Sequence, residues 1–334
     1  MGRAWARALL DCDQTDLAGW CDIREGAVEE AIALMRKDEP SLELLGVVAG
    51  DDEAKMLDDL KPDMIVDATP PQAHCEVELM ALERGIPVLG EKPMADSMEA
   101  ARKLVAAAKR AGALYMVSQS RRYNPMMAAF RELIASLGQV GMLNADFDLG
   151  PHFGGFRDKM PSPLLLDMAI HTFDQARYLT GADALTVYCE EFNPPWSWYE
   201  GAASANALFT MTGDLHFAYR GSWCAEGLPT SWDGQWRAIG ARGSAVWDGE
   251  KPPVAEIVAS REGGAAQVQR VEAAVSDDAP SGIAGALLDF VRALTEGTTP
   301  QGECTDNIKS LAMVFGAIES AQTGQRVDVT KLLA

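Results

Sequence analysis

Short apolar runs alternate with helix-period segments through the first third of the chain. Residues 17–23 (LAGWCDI) read as a strand between Asp16 and Arg24, and residues 25–37 follow with Val28, Ile32 and Met35 at helical spacing. Residues 44–49 form another apolar run, and residues 64–68 (MIVDA) a clear strand stopped by Pro70-Pro71. Residues 72–84 are helical, with Val77, Met80 and Ala81 on one side and Gly85 as the stop. Residues 86–89 read as a strand, 97–111 as an Ala-rich helix capped by Ser97, and 113–117 as another strand. Strands separated by helices predict βαβ units and a parallel sheet covered on both faces.

The pattern changes near residue 122. Asn124-Pro125 starts a helix to about Leu137, and Gly- and Pro-rich stretches follow (Gly150 to Gly155, then Pro161-Ser162-Pro163). After one more helix, residues 185–262 are strand-like with turns between. Leu215, Phe217 and Tyr219 alternate with His216, Ala218 and Arg220, the period of a half-buried strand. Consecutive strands without helices indicate an antiparallel sheet, and two helices close the chain at about 281–295 and 305–323. The expected fold class is α/β followed by α+β: a Rossmann-like domain over 1–122, and an open, mostly antiparallel sheet with helices over 123–334. The closing helices are free to pack back on the first domain.

Composition narrows the partners. Of 334 residues 48% are hydrophobic, enough for a large core. The formal charge of −20 argues against nucleic acid and anionic lipid, which both need a clustered basic face. Cys12, Cys21, Cys75, Cys189, Cys224 and Cys304 stand singly, with no C-x-x-C pair, so neither a zinc site nor a disulfide framework is expected. With no signal-like start and no apolar run of spanning length, a cytoplasmic protein directed at a small molecule is expected.

Several chemistries drop out. There is no H-E-x-x-H and no G-x-S-x-G, and His74, His152, His171 and His216 are too scattered for a metal site. Residues 85–92 (GIPVLGEK) mimic a P-loop, but Glu91 stands where lysine must follow the second glycine. A dinucleotide fold carries G-x-G-x-x-G after its first strand, and no two glycines here are two residues apart. Gly2 nevertheless precedes an amphipathic helix, and Asp22 ends a strand 20 positions later, the distance at which a carboxylate meets the adenosine ribose. Gly2 would then be the third glycine of the fingerprint, with the first strand lying upstream of Met1. The ordinary alternative is a helix near a ragged terminus and a surface aspartate. A chain lacking that central strand is expected to fold and bind dinucleotide more weakly than one with about a dozen more N-terminal residues.

Four further motifs stand in order at strand ends or on a helix: Thr69-Pro70-Pro71-Gln72-Ala73-His74, Glu91-Lys92-Pro93, Arg121-Arg122-Tyr123-Asn124-Pro125, and Asp167-Met168-Ala169-Ile170-His171 with Asp174 beyond. Together they resemble the glucose–fructose oxidoreductase, inositol dehydrogenase and rhizopine-catabolism (Gfo/Idh/MocA) oxidoreductases, over essentially the whole chain. The resemblance implies an NAD(P)-dependent oxidoreductase, with NAD (or NADP) as cofactor, transferring hydride to or from a hydroxyl-bearing carbon of a sugar, cyclitol or related polyol. It implies Lys92, Asp167 and His171 as catalytic positions and a homodimer or homotetramer. Gly2, Asp22, Arg24, Thr69, Pro70, His74, Glu91, Lys92 and Arg122 are the expected cofactor contacts, and His152 a candidate substrate contact; no metal is expected. Asp22 favours NAD because it would repel a 2′-phosphate, while Arg24 leaves NADP open.

The chemistry can be stated independently. A base titrating near neutrality suits removal of a hydroxyl proton, which His171 can supply. Asp167, one helical turn earlier, can orient the imidazole or hold the substrate. An ammonium at Lys92 can stabilise a developing alkoxide, and Pro93 restricts the geometry of Lys92. In an arbitrary protein Asp167–His171 would be a surface pair, Lys92 a solvated partner of Glu91, and Asp174 an i,i+3 partner of Arg177. Two departures bear on the substrate: Pro161-Ser162-Pro163 replaces a glycine run common in the family, and Gln119-Ser120 stands where an aromatic and an asparagine are common. Trp196, Trp198, Tyr199, Trp223, Trp232 and Trp236 are read as core or subunit-interface residues before sugar-stacking ones. Two other activities fit the fold: a glycosidase using NAD transiently, and a non-catalytic sugar or dinucleotide sensor.

Overall fold

A computed structural model describes residues 1–42, 44, 46–262, 265–275 and 280–334. It comprises two compact units: Met1–Ser118 with Ile283–Thr305, and Gln119–Gly282 with Asp306–Ala334. In chain order the first unit contains α1 (Gly2–Leu10), β1 (Gly19–Cys21), α2 (Ala27–Asp38), β2 (Val48–Gly50), α3 (Glu53–Leu60), β3 (Ile65–Asp67), α4 (Pro71–Leu82), β4 (Val88–Glu91), α5 (Met98–Ala111) and β5 (Tyr115–Ser118). The apolar run expected at 44–49 becomes a strand only at its end. Leu45, with Glu43, lies outside the described residues.

Local chemistry sets the helix ends. The Asp52 side chain accepts from Lys55 N at the start of α3, and Ser97 from Ala100 N at the start of α5. Gly112 closes α5 in the left-handed region, at φ 63°. The named strands of this unit pair in parallel, in two pieces among the described residues: β1 with β2, and β3–β4–β5. Among the described residues β1 pairs only with β2, and β3 only with β4. Val88, Leu89, Met116 and Val117 are fully enclosed, as are Leu82 of α4 and Leu104 of α5. The segment before Cys304 extends the edge beside β5, where Val117 N donates to Gly302 O at 2.9 Å.

The second unit begins with α6 (Pro125–Ser136), whose cap Asn124 accepts from Met126 N, with proline at the first helical position. Strand β6 (Val140–Asp148) follows. A helical run then passes from a π turn (Leu164–Ala169) into α7 (Ile170–Thr180). Next come β7 (Ala184–Phe192), β8 (Ser204–Met211), β9 (Leu215–Ser222), β10 (Gln235–Gly240), β11 (Gly243–Trp247), β12 (Val254–Glu262) and β13 (Ala265–Glu272). The chain closes with α8 (Gly282–Glu296), which from Ile283 belongs to the first unit, then α9 (Cys304–Thr323) and β14 (Val327–Asp328). Nine strands form one sheet in the order β13-β12-β11-β10-β6-β9-β8-β7-β14, antiparallel throughout except β6 against β9. Leu215, Phe217 and Tyr219 face inward as their alternation predicts, each at most 3% exposed. Phe173 of α7 meets Phe209 and Tyr219 edge-on at 4.8 and 5.2 Å. Met142, Leu208 and Ile239 are 41–52% exposed, so strands of this sheet also present apolar side chains outward.

Gly201 runs where no side chain fits. A Cβ there would lie 2.2 Å from the carbonyl oxygens of Met160 and Pro161. Gly201→Ala is expected to cost about 1–3 kcal/mol through overpacking against backbone, read as a lower urea midpoint.

Candidate active site

In the first unit the candidate residues gather on turns after parallel strands, where open α/β sheets bind ligands. Asp67 ends β3, and its Oδ1 accepts from Thr69 N at 2.8 Å. Pro70 caps α4 with extended backbone, and Pro71 takes the first helical position. His74, in the first turn of α4, is fully buried. Its Nδ1 lies 2.9 Å from Pro93 O and its Nε2 2.9 Å from Thr69 O.

Glu91 ends β4 and is buried. Its Oε1 accepts from the indole of Trp5 at 2.8 Å, and its Oε2 from the Lys92 amide at 3.1 Å. Glu91 is thus fixed by α1 and by its neighbour's backbone rather than standing as a solvated ion. Lys92 follows, half-buried, joined to Pro93 by a cis peptide bond. Gly2 is the first residue of α1, which has no side-chain cap and no acidic residue in its first turn. Asp22 follows β1 and accepts from Arg24 N at 2.9 Å, while the Arg24 guanidinium pairs with Glu30 at 2.7 Å in solvent.

In the second unit, Asp167 sits in the π turn and accepts from Arg157 Nε at 2.7 Å. The π turn changes the expected relation to His171: hydrogen bonds reach i+5 there and the turn is wider than an α-helical one. Pro161 and Pro163 stand at its entry, where a missing amide is tolerated, and Leu166 N donates to Ser162 O at 3.0 Å. His171 is 8% exposed on α7, a helix buried almost all round. Arg157 lies over the rings of Phe153 and Phe156, with centroids 5.6 and 4.7 Å away. His152 is exposed, stacks on Trp198 at 3.8 Å and meets Glu226 at 3.0 Å. An open cleft of about 640 Å3 is lined there by Phe156, Asp158, Lys159, Trp198 and Glu200. The aromatic group divides: Tyr199, Trp223 and Trp236 are core, whereas Trp196 and Trp232 are exposed.

Arg122 and Asp174 lie together in the same unit. The guanidinium donates to Asp174 at 2.7 Å (Nε) and 2.6 Å (Nη2), and both side chains are buried. Burial opposes its charge, but the Asp174 carboxylate outweighs that and pushes the guanidinium pKa up. The expected Asp174–Arg177 pair does not form. Arg177 turns instead to Asp183 and Asp306, at 2.7 and 2.5 Å, because Arg122 and Ser310 occupy Asp174.

Two features escaped the sequence. Arg157 lies in a Gly-rich loop, and nothing in its spacing marks it as the partner of Asp167. Arg121 is half-buried 3.9 Å from Asp233, desolvation lowers it to about 10, and its Nη1 has no hydrogen-bond partner among the described residues. A basic dipeptide gives no sign of which arginine faces inward.

Glu191 of β7 accepts from Ser162 Oγ at 3.0 Å at the entry to the π turn. Burial pushes its carboxyl from 4.5 up to about 7. The folded state then binds a proton that the unfolded state has released, so its contribution to stability falls as pH rises from 4.5 to about 7. Glu191→Gln is expected to flatten that decline in urea titrations across the window. An equal decline in both proteins would contradict it.

A dinucleotide fits the first unit on its own evidence. The hydroxyls of Thr69, after β3, and Ser118, ending β5, are buried without hydrogen-bond partners among the described residues. They provide polar atoms at the strand ends where a cofactor would lie. Residues 1–119 match the family described as oxidoreductase, NAD-binding Rossmann fold (GFO_IDH_MocA), and residues 127–246 its C-terminal domain. The chain belongs to the Gfo/Idh/MocA oxidoreductase family. It is 28% identical to the protein y4oX of Sinorhizobium fredii, over 94% of this chain and 93% of that one. It is 26% identical to D-apiose dehydrogenase of Paraburkholderia graminis, over 98% and 90%. An oxidoreductase from Agrobacterium radiobacter, solved in complex with NAD+, L-tartaric acid and magnesium, shares the fold with a TM-score of 0.82 at 20% identity, over 98% and 95%. As a family member the chain is an NAD-dependent oxidoreductase, and no described helix is long and apolar enough to cross a membrane.

Proposed function

We propose that the chain moves hydride between NAD and a hydroxyl-bearing carbon of a sugar, cyclitol or related polyol. The observation that carries this is Lys92 on the turn after β4, flanked in the same sheet by the unpartnered hydroxyls of Thr69 and Ser118. The relative named D-apiose dehydrogenase supports a polyhydroxy substrate.

The bound nicotinamide supplies the hydride acceptor. Thr69, Pro70, Glu91 and the amides opening α1 hold the cofactor, and Asp22 takes the ribose hydroxyls. NAD is favoured over NADP because Asp22 repels a 2′-phosphate and the Arg24 cation is already paired with Glu30. An imidazole nitrogen of His171 accepts the hydroxyl proton. The Lys92 ammonium stabilises the developing oxyanion. Asp167, released from Arg157, holds a substrate hydroxyl. Arg122 fastens α7 through Asp174, and the cleft by His152 receives the far end of the substrate. The six free cysteines suit a reducing cytoplasm. The apolar residues facing outward from the sheet suit a homo-oligomer, which light scattering would read.

The test is an NAD- and NADP-linked absorbance screen across polyols, sugars and cyclitols. Substrate-dependent reduction, faster with NAD, is expected. Hydrolysis of a glycoside with no net change in nicotinamide absorbance would replace this reading with the transient-NAD glycosidase. Binding without turnover would replace it with the sensor.

A further inference from the structure

Three ionisable side chains meet inside the first unit, away from solvent: Asp67, His74 and Glu78, with carboxylate oxygens and a ring nitrogen all within 4.8 Å. All three are at most 3% exposed. The arrangement is not that of a metal centre, because both nitrogens of His74 already face backbone carbonyl oxygens at 2.9 Å. A carbonyl oxygen only accepts. A neutral imidazole has one N–H and one lone pair, so it would satisfy one carbonyl and press its lone pair against the other. Buried, that mismatch costs the desolvation of two acceptors.

We propose that His74 is held as an imidazolium donating through both ring nitrogens, and that this cation positions Lys92 by tying Pro93 to the Thr69 turn. A buried cation needs a counter-charge, and two carboxyls are at hand. Burial, reinforced by the charge of Asp67, pushes Glu78 well above the usual carboxylate range. Glu78 packs against the backbone of Gly90, where a Cβ would come within 2.1 Å of Oε1. Asp67 is the counter-ion assigned to this cation. Its Oδ1 takes the Thr69 amide, and its Oδ2 has no hydrogen-bond partner among the described residues. Glu53 and Tyr115 are the other titratable groups coupled to these carboxyls. Burial, with the charge of Asp67, raises Glu53 to about 7, and burial raises Tyr115.

The geometry gives this cation a task. β3 and β4 are neighbours, with Asp67 opposite Gly90. The turns that leave them carry Thr69 and Lys92-Pro93, and His74 reaches from α4 to both. The inference rests on the role assigned to Lys92 above, so its test separates the two.

Imidazole 15N shifts of the full chain, recorded at about pH 8, above the ordinary histidine range, read the protonation without any activity. One histidine with both nitrogens protonated is expected, absent from His74→Gln and reduced to one ring proton in Asp67→Asn. Four neutral rings in the wild type would overturn the imidazolium, and an unchanged ring in Asp67→Asn would overturn its counter-ion. Positioning is read twice. With NAD saturating, His74→Gln is expected to lower kcat by about 10- to 100-fold, the effect of displacing a reacting group by about 1 Å, with NAD affinity within about threefold of wild type. Its crystal structure with NAD is expected to show Lys92 displaced. Lys92 in place, or a loss confined to NAD affinity, would overturn positioning. Should the substrate screen find no turnover, the shifts and the crystal structure still decide the proposal. If His74→Gln does not fold, Asp67→Asn carries the same readouts.

Discussion

Lys92→Ala is expected to lower kcat by about 100- to 1000-fold, the range for losing one preorganised donor to a developing oxyanion. When hydride leaves carbon, negative charge grows on the hydroxyl oxygen, and a fixed ammonium is worth most at that moment. The interaction is weaker with the neutral alcohol of the ground state, so the loss falls on kcat more than on KM. Cofactor affinity should change little, because Thr69, Glu91, Asp22 and the start of α1 remain in place. Lys92→Arg is expected to recover little of the activity: a planar guanidinium keeps the charge and misplaces it. Steady-state kinetics with fluorescence titration of NADH check both statements. Unchanged turnover at saturating substrate would remove Lys92 from the mechanism.

Asp174→Ala is expected to cost about 3–5 kcal/mol of stability, the penalty for removing one partner of a buried ion pair. The Asp174 side chain is 2% exposed and that of Arg122 7%. The mutation leaves the guanidinium only the more distant Asp306, at 3.6 Å, and also removes the acceptor of Ser310 Oγ at 2.7 Å. Because the pair ties the segment after Gln119 to α7, the loss should appear as earlier unfolding of the second unit in urea. Replacing both partners by apolar residues, Arg122→Met with Asp174→Leu, should cost less than Asp174→Ala alone, since no charge is then left unpaired. Equal losses in the single and double variants would show that packing, not the ion pair, holds this region.

The alternation of elements was legible because period and punctuation agree. MIVDA stopped by two prolines, Ser97 before an Ala-rich run and Asn124-Pro125 each combine a hydrophobic pattern with a chemical boundary. The strand at Leu215, Phe217 and Tyr219 was readable for the same reason. The parallel pairing of β6 with β9 was not, since no local pattern records which strands meet across 70 residues. Long-range polar pairs were equally silent. Trp5 meets Glu91, Arg122 meets Asp174 and Arg157 meets Asp167 because the fold brings them together. Glu78 did leave a trace: it stands one turn from His74 on the buried side of α4, where a carboxylate needs a reason. The widened turn before His171 left none, since prolines at a helix entry suit an ordinary α-helix equally well.

The most direct measurement follows deuterium placed on the carbinol carbon of the substrate found in the screen, with the nicotinamide analysed by mass spectrometry. Hydride transfer predicts that one deuterium appears on the reduced nicotinamide ring for each substrate molecule oxidised. Product formed with no net reduced cofactor, or with the label lost to water, would contradict it.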